Sequence, residues 1–378
     1  MGLSVSPLPI PYDFPPMEAE SADEIPLGPL WQYEPKWDGF RCLAFRDGGR
    51  VELRSKAGQS LGRYFPDVVE LLLGLAPKRF VLDGELAIPV DGSLSFDELL
   101  LRIHPAERRV RTLVAQHRAM FIIFDLLVDQ RGRSLAAAPL EERRAALEKL
   151  AARSFPAGGM IRLSPATRDA ATARRWFRTA GESLDGIMAK RVDFRYRSGN
   201  RLGMVKVKRL RTADCVVGGF RYASKGRIIG SLLLGAYDDE GLLHHVGFTS
   251  SLSRVERAAM TPKLEKLVRP PGFTGRAPGG PSRWSTERSS EWQPLAPKLV
   301  VEVRYDHFTG DRFRHGTKFL RWRPDKAPRQ CTLDQLKQRR GTLLALLTQS
   351  GDRPSVGRVV RLPGSNRSAA ASRKRERR

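Results

Sequence analysis

One lysine stands where its amine could become bonded to a nucleotide. Lys36 lies just before a glycine turn in the stretch Glu34-Pro-Lys36-Trp-Asp38-Gly39-Phe-Arg41. A neutral lysine amine can attack the α-phosphate of a nucleotide and form a phosphoramidate, so we expect nearby cations and desolvation to lower its pKa. Asp38 could orient the amine, and Arg41 could hold a phosphate or a ribose. The pattern K-x-D-G-x-R is short, and an exposed turn explains it equally well when it is taken alone.

Three further groups of residues follow along the chain. Ser55-Lys56 ends a predicted strand and places a second cation for a phosphate. In Asp83-Gly-Glu85 the two carboxylates share one face of a predicted strand, because strand side chains alternate. Phe124 ends an apolar strand, where its ring could stack on a base, although an apolar strand position usually belongs to the core.

Two later groups add a carboxylate and a pair of amines. Asp185 stands before a glycine in Leu184-Asp185-Gly186-Ile-Met-Ala-Lys190. Lys206 and Lys208 lie on one face of a predicted strand, with valines on the other face. Because like charges repel, a triphosphate between the two lysines explains this pair better than a bare solvated face.

Strands and helices that must position these residues can be read between residues 31 and 209. Segments 41–46 and 51–54 flank a glycine turn and predict a hairpin. Further strands are predicted at 80–90 (a strand pair), 121–127 and 205–209, and helices at 139–153 and 170–180. After residue 212, short strands at 215–220, 228–237, 242–248 and 299–305 predict a small β-barrel with a long loop at 269–292.

The order of these motifs resembles the covalent nucleotidyltransferase superfamily, which contains ATP-dependent polynucleotide ligases and mRNA capping enzymes. Beyond the predicted barrel strands, Arg323-Pro-Asp-Lys326 looks like the last motif of that superfamily. The stretches 319–326 and 102–107 are similar to the small bacterial DNA ligases of the LigC type. The resemblance covers about residues 30–335.

The resemblance implies an α+β fold class. An ATP-grasp-like nucleotidyltransferase domain with antiparallel sheets would occupy residues 29–210 and carry out adenylation. An OB-fold β-barrel would follow at residues 211–335. The proline-rich residues 1–28 are predicted to be an extended lead-in that forms neither helix nor strand. Residues 336–378 are predicted to be a basic tail, disordered from about residue 351.

The resemblance also implies a role for each matching residue. Lys36 would be the adenylated nucleophile, and Asp185 with Glu85 would bind Mg²⁺ or Mn²⁺. ATP would enter as a substrate, held by Glu34, Arg41, Lys56, Glu85, Phe124, Lys206, Lys208, Arg323 and Lys326. This chain departs from the family pattern twice: Asp185 stands where Glu is usual, and Lys56 stands where Arg is common.

The implied function is that of an ATP-dependent DNA ligase. Such an enzyme would seal 5′-phosphate/3′-hydroxyl nicks in duplex DNA through a lysine–AMP intermediate, and a small ligase of this kind suggests DNA repair. Two alternatives remain open in the sequence. One is another member of the superfamily, an RNA ligase or a GTP-dependent capping-type enzyme. The other is a basic nucleic-acid-binding protein that has lost catalysis.

The charge of the chain indicates a polyanionic partner. Lys and Arg number 66 against 41 Asp and Glu, and the formal net charge is +25. A general bias towards arginine would give the same excess, so charge alone does not identify nucleic acid. We expect nicked duplex DNA to be contacted by Arg54, Arg276 and Arg283. The last two lie in the loop 269–292, which could equally be a plain solvated loop.

Other classes of protein are disfavoured by the composition. The apolar runs are too short to span a membrane, and the start of the chain lacks the pattern of a signal peptide. Three separated cysteines and six histidines show no metal-ligand spacing, so the histidines are interpreted as structural or surface residues. We therefore expect a cytoplasmic, nucleoid-associated monomer with possible repair-protein partners.

Overall fold

The computed structural model describes residues 7–179, 184–224, 226–279, 291–337 and 345–348. The strands form a five-stranded, a four-stranded and a six-stranded sheet, with two additional strand pairs. The first two sheets use residues 20–208, called here the first region, and the third uses residues 211–322, the second region. In the described part of the chain, no helix is long and apolar enough to cross a membrane.

The described residues between 20 and 208 contain eleven strands and five helices. The strands are β1 Glu20–Ala22, β2 Trp31–Lys36, β3 Phe40–Asp47, β4 Arg50–Ser55, β5 Arg79–Ala87, β6 Pro89–Val90, β7 Ser93–Leu94, β8 Met120–Val128, β9 Ile161–Leu163, β10 Gly186–Arg191 and β11 Met204–Lys208. The helices are α1 Pro66–Gly74, α2 Phe96–Arg102, α3 Glu107–Gln116, α4 Leu140–Ser154 and α5 Ala170–Thr179. The two sheets have the strand orders β4-β3-β5-β8-β9 and β1-β11-β10-β2.

The five-stranded sheet places β8 at its interior. Every residue of β8 is buried, because both faces of the sheet are covered. Phe121 packs into one apolar cluster and Leu127 into another, and Leu147 of α4 covers the first of these clusters. The predicted hairpin is confirmed by pairing of β3 with β4 from Cys42–Ser55 to Asp47–Arg50. The motif residues on β3, β5 and β8 are therefore held on a rigid platform.

Two details of this region differ from the sequence prediction. Segment 80–90 is not a strand pair: β5 runs unbroken to Ala87, and only the short β6 follows it to pair with β7. The sheets are also not wholly antiparallel, since β1 pairs with β11 and β8 with β9 in parallel. The β8–β9 pair is parallel because helix α4 carries the chain back across the sheet between them.

The proline-rich lead-in is part of the fold, and the prediction that it contains no strand is wrong. Residues 20–22 form β1, which extends the four-stranded sheet beside β11. Leu8, Ile10 and Tyr12 are buried in the apolar cluster that also contains Leu127. Proline excludes regular helix but leaves the apolar side chains between the prolines free to pack, which the composition alone did not reveal.

Residues 211–322 form the six-stranded antiparallel sheet and carry helix α6 Arg254–Glu265. Its strands are β12 Arg211–Tyr222, β13 Ile229–Tyr237, β14 Leu243–Thr249, β15 Gln293–Pro294, β16 Val300–Tyr305 and β19 Lys318–Trp322; the pair β17 Phe308–Thr309 and β18 Arg312–Phe313 lies apart, and α7 Ala345–Thr348 follows. The predicted strands are present. In the described residues their order, β14-β13-β12-β16-β19 with β15 on β12, is an open path and not a closed barrel.

The predicted long loop is partly anchored. Phe273 is buried against Trp292 and His245, so residues 269–279 are packed against the third sheet and do not form a plain solvated loop. Arg283, and the tail predicted to be disordered from about residue 351, lie outside the described residues.

His245 should make the protein lose stability in acid. Burial lowers the pKa of this imidazole from its ordinary value of 6.5 to about 3, and Arg312 and Arg221 add to the effect. Below pH 6.5 the unfolded chain takes up a proton that the folded chain refuses, so stability falls as pH decreases. We expect the free energy of unfolding to fall by about 2 kcal/mol more between pH 8 and pH 5 in the wild type than in His245→Leu. Urea titrations of both proteins at the two pH values measure this difference, and equal pH dependence in the two would contradict it.

Candidate active site

A cavity of about 200 Å³ opens between the two sheets of the first region. It is lined by the predicted nucleophile Lys36 and by most of the predicted nucleotide-binding residues: Glu34, Arg41, Lys56, Glu85, Phe124 and Lys206. Residues from the lead-in, Pro16 to Ala19, form one wall. The cavity thus combines a lysine amine, further cations, carboxylates and an aromatic ring, so it offers several polar groups that converge on one pocket.

Lys36 ends β2 and directs its amine towards carboxylates. Its Nζ donates a short hydrogen bond to Oδ2 of Asp185, which precedes β10. Burial acts to lower the pKa of Lys36, but Asp185, with Glu85 and Asp38, outweighs burial and raises this pKa. The prediction of a lowered pKa is therefore wrong for this state of the site, in which the amine is held as an ammonium.

Gly39, which follows Asp38, and Gly186, which follows Asp185, stand where a side chain would clash with a neighbouring strand. A Cβ on Gly39 would lie 2.1 Å from the carbonyl oxygen of Leu86, and one on Gly186 would lie 2.1 Å from that of Val207. Each glycine lets its strand approach a neighbouring backbone closely enough to bring Lys36 and Asp185 together.

The far end of the cavity is built around Phe124. Lys190 Nζ lies 4.4 Å from the ring centroid of Phe124, and the Arg41 guanidinium carbon lies 4.8 Å from it. Lys190 also donates a 2.8 Å hydrogen bond to Oε2 of the buried Glu34. Phe124 is therefore both a core residue, 8% exposed, and a wall of the cavity.

Two carboxyl groups of β5 play different parts. Asp83 is fully buried and accepts two 2.7 Å hydrogen bonds from Arg41. Glu85 lines the cavity, and burial raises its pKa to about 8 although Lys36 and Arg41 act in the opposite direction. Asp83 thus serves to hold Arg41, whereas Glu85 faces the place that a ligand would occupy.

The two lysines of β11 lie in different surroundings. Lys206 lines the cavity, and burial together with Lys36 and Lys208 lowers its pKa. Lys208 does not line the cavity: its Nζ lies 3.0 Å from Oδ2 of Asp306, in the second region of the chain. Lys56 reaches the cavity rim, where it is paired at 2.9 Å with Glu18 of the lead-in.

A hairpin from the second region, residues 306–315, covers the lysine. His307 Nε2 lies 2.6 Å from Oδ1 of Asp185, and Arg314 donates to both carboxylate oxygens of Asp38 at 2.7 and 3.0 Å. His307, interpreted from sequence as structural or surface, is thus buried and contacts a predicted site carboxylate. No sequence pattern marked these two contacts, because they join residues 122 and 276 positions apart.

The last motif lies away from the cavity. Arg323 is paired with Asp325 and Asp214 at 2.8 Å each, and Lys326 with Asp214 at 3.2 Å. Neither side chain is among the residues that line the cavity. The structure therefore does not bring these two predicted nucleotide-binding residues to the site in this domain arrangement.

Two of the residues predicted to contact DNA are engaged within the protein. Arg54 is paired with Glu52 at 3.1 Å, and Arg276 donates to the backbone oxygen of Asp311 at 2.9 Å. Their role in DNA binding stays a prediction.

The donor groups beside Lys36 suit a hard divalent cation only in part. The described residues contain no group of three or more His, Cys, Asp or Glu side chains placed to hold a metal. Mg²⁺ and Mn²⁺ take oxygen ligands, and Mg²⁺ commonly uses one or two carboxylates and completes its shell with phosphates and water. Asp185 and Glu85 fit that role, although both oxygens of Asp185 are engaged here by Lys36 and His307.

Comparisons with known proteins identify the family of the chain. A family model for an ATP dependent DNA ligase domain matches residues 16–208, and one for an ATP dependent DNA ligase C terminal region matches residues 225–326. A solved structure of a Lig E DNA ligase, 17% identical, has a TM-score of 0.50 and covers 82% of this chain and 99% of that one, which supports the fold.

Curated relatives extend the match over most of the chain. DNA ligase C2 of Mycolicibacterium smegmatis is 45% identical over 349 residues, or 87% of this chain and 96% of its own. DNA ligase C of Mycobacterium tuberculosis is 43% identical over 350 residues, or 88% of this chain and 96% of its own. The RNA-ligase and capping-enzyme alternatives gain no support from these matches. The chain belongs to the ATP-dependent DNA ligases, enzymes that form phosphodiester bonds.

Proposed function

We propose that Lys36 is the residue that becomes bonded to AMP and that the cavity beside it receives ATP. The observation that carries this proposal is the position of Lys36 in the lining of the cavity, which Lys206 and Arg41 also line. Cations placed around one amine would stabilise the negative charge that develops on the phosphates during the attack.

The remaining residues of the cavity would hold the nucleotide in place. Phe124 offers its ring to the base, and Glu34, which Lys190 fixes, offers a carboxylate in the same part of the cavity. Glu85 lines the cavity near Lys36 and would hold the ribose. Mg²⁺ or Mn²⁺, bound at Asp185 and Glu85, would supply positive charge against the phosphates and compete with Lys36 for Asp185.

Lys36 must lose a proton before it attacks. Asp185 raises the pKa of Lys36 in this structure, so the ammonium form is the resting form. Weakening of the Lys36–Asp185 hydrogen bond when the nucleotide binds would lower this pKa and free the amine. The same carboxylate would thus keep the nucleophile inactive in the empty site.

Arg323 and Lys326 enter the proposal through a second domain arrangement. They are paired with Asp214 here, and contact with the pyrophosphate leaving group would require the 211–335 region to rotate over the cavity. The observed arrangement, with hairpin 306–315 over Lys36, would then serve the steps on nicked duplex DNA. We further propose that the enzyme acts as a cytoplasmic, nucleoid-associated monomer in DNA repair, with repair proteins as partners.

Mass spectrometry tests the central claim. Purified protein incubated with ATP and Mg²⁺ should gain the mass of one adenylyl group, and peptide mapping should locate it on Lys36. The same incubation with GTP should leave the protein unmodified. An adduct on another lysine, or labelling by GTP alone, would refute the proposed site.

A further inference from the structure

Tyr196 is a buried residue behind the cavity that belongs to none of the motifs. Its side chain is 5% exposed, and its ring stacks on Phe14 with 6.0 Å between the ring centroids. Its hydroxyl accepts a 2.9 Å hydrogen bond from the backbone N–H of Met17 and donates one of 2.6 Å to Oδ2 of Asp83. One phenol therefore joins the lead-in to a motif carboxylate.

The network continues from Asp83 back to the lead-in. Asp83 accepts both of its 2.7 Å hydrogen bonds from Arg41, and the same guanidinium donates to the backbone oxygen of Met17 at 3.2 Å. Met17, Tyr196, Asp83 and Arg41 thus form a closed ring of hydrogen bonds. In such a ring each bond fixes the direction of the next.

Two members of this ring line the cavity, Met17 and Arg41. The neighbouring Glu18 also lines it and pairs with Lys56 at 2.9 Å. A shift of the lead-in would therefore displace one cavity wall, the Arg41 guanidinium and the partner of Lys56 together. The Tyr196 hydroxyl fixes the position of Met17 relative to Asp83, because it forms a hydrogen bond with each of them.

We propose that Tyr196 is a positioning residue for ATP binding, which holds the Met17 wall and Arg41 in the geometry that receives the nucleotide. This inference rests on the proposed function of the cavity. The hydroxyl touches neither Lys36 nor the cavity, so its loss should weaken the binding of ATP and leave the chemical step nearly intact.

Tyr196→Phe removes both hydrogen bonds and keeps the ring that packs on Phe14. The rate of lysine–AMP formation in a single turnover, measured over a series of ATP concentrations, separates binding from chemistry. We expect the half-saturating ATP concentration to rise about tenfold, as loss of a hydrogen bond to a charged group typically costs, and the maximal rate to stay within about threefold. Tyr12→Phe is the matched control, because Tyr12 is buried in the same apolar cluster and its ring lies edge-on to Phe45. Its half-saturating concentration should equal that of the wild type.

Asp83→Asn interrupts the same ring from the other side and should also raise the half-saturating ATP concentration. In an Arg41→Gln background, Tyr196→Phe should add less than about twofold, because Tyr196 acts through Arg41. A Tyr196→Phe protein with wild-type ATP dependence would overturn the inference, as would a full tenfold effect in the Arg41→Gln background or a lowered melting temperature with unchanged ATP dependence. Failure of the wild type to form any adduct would instead refute the proposed function.

Discussion

Lys36→Ala is expected to form no AMP adduct and to seal nicks in the presence of ATP at least about 10³-fold more slowly than the wild type. The reason is that the first step has lost its nucleophile, and no other group in the cavity wall occupies the same position. The same variant should still join a nick whose 5′-phosphate already carries AMP, at a rate within about tenfold of the wild type. That last step bonds the 3′-hydroxyl to the phosphate and expels AMP without any bond to the lysine.

The comparison of the two substrates makes the experiment specific to the lysine. Lys149→Ala, on the exposed face of α4, is the control and should act as the wild type on both substrates. Equal loss on the ordinary and the pre-adenylylated nick would mean that Lys36 is needed for DNA binding or folding instead. A surviving adduct on Lys206, the cavity amine whose pKa is lowered, would make that residue the nucleophile.

The sequence predicted those parts of the site that follow from alternation of side chains within a single strand. Alternation along β5 placed Glu85 at the cavity, and alternation along β11 placed Lys206 there. Motif order then indicated the family, which the comparisons confirm. These features are local, so residue spacing is enough to encode them.

The electrostatics of Lys36 could not be predicted in the same way. Its sequence neighbours suggested an amine among cations, but Glu85 on β5 and Asp185, just before β10, approach the amine and raise its pKa. A pKa depends on distances in three dimensions and on burial, and both follow from the packing of the two sheets. The lead-in was missed for a related reason: its buried side chains make sense only once the sheet that they cover has formed.

The contacts of hairpin 306–315 could not be predicted from the sequence either. His307 and Asp306 stand at the end of β16, where nothing in the local pattern indicates a partner in the other region. Asp185, the partner of His307, precedes β10, and Lys208, the partner of Asp306, ends the adjacent strand β11. If the 211–335 region rotates as proposed, one side chain can serve more than one arrangement, and spacing alone does not say which.

Arg314→Ala should show which of the two domain arrangements serves which step of the reaction. Arg314 holds Asp38 with two hydrogen bonds, and the side chains are only 17% and 20% exposed, so this pair is stronger than an ordinary surface ion pair. Its loss should weaken the arrangement that covers Lys36. We expect lysine–AMP formation from ATP to stay within about threefold of the wild type and the sealing of nicks by adenylylated enzyme to fall roughly 10- to 100-fold.

Arg321→Ala provides the matched control, because Arg321 is paired with Glu302 at 2.7 Å within its own region and makes no contact with the hairpin's partners among the described hydrogen bonds. It should change neither step by more than about twofold. If Arg314→Ala lowered adenylylation and left sealing untouched, the arrangement described here would belong to the ATP step. Arg323 and Lys326 would then act without reaching the nucleotide, since both are paired with Asp214 while Arg314 is docked.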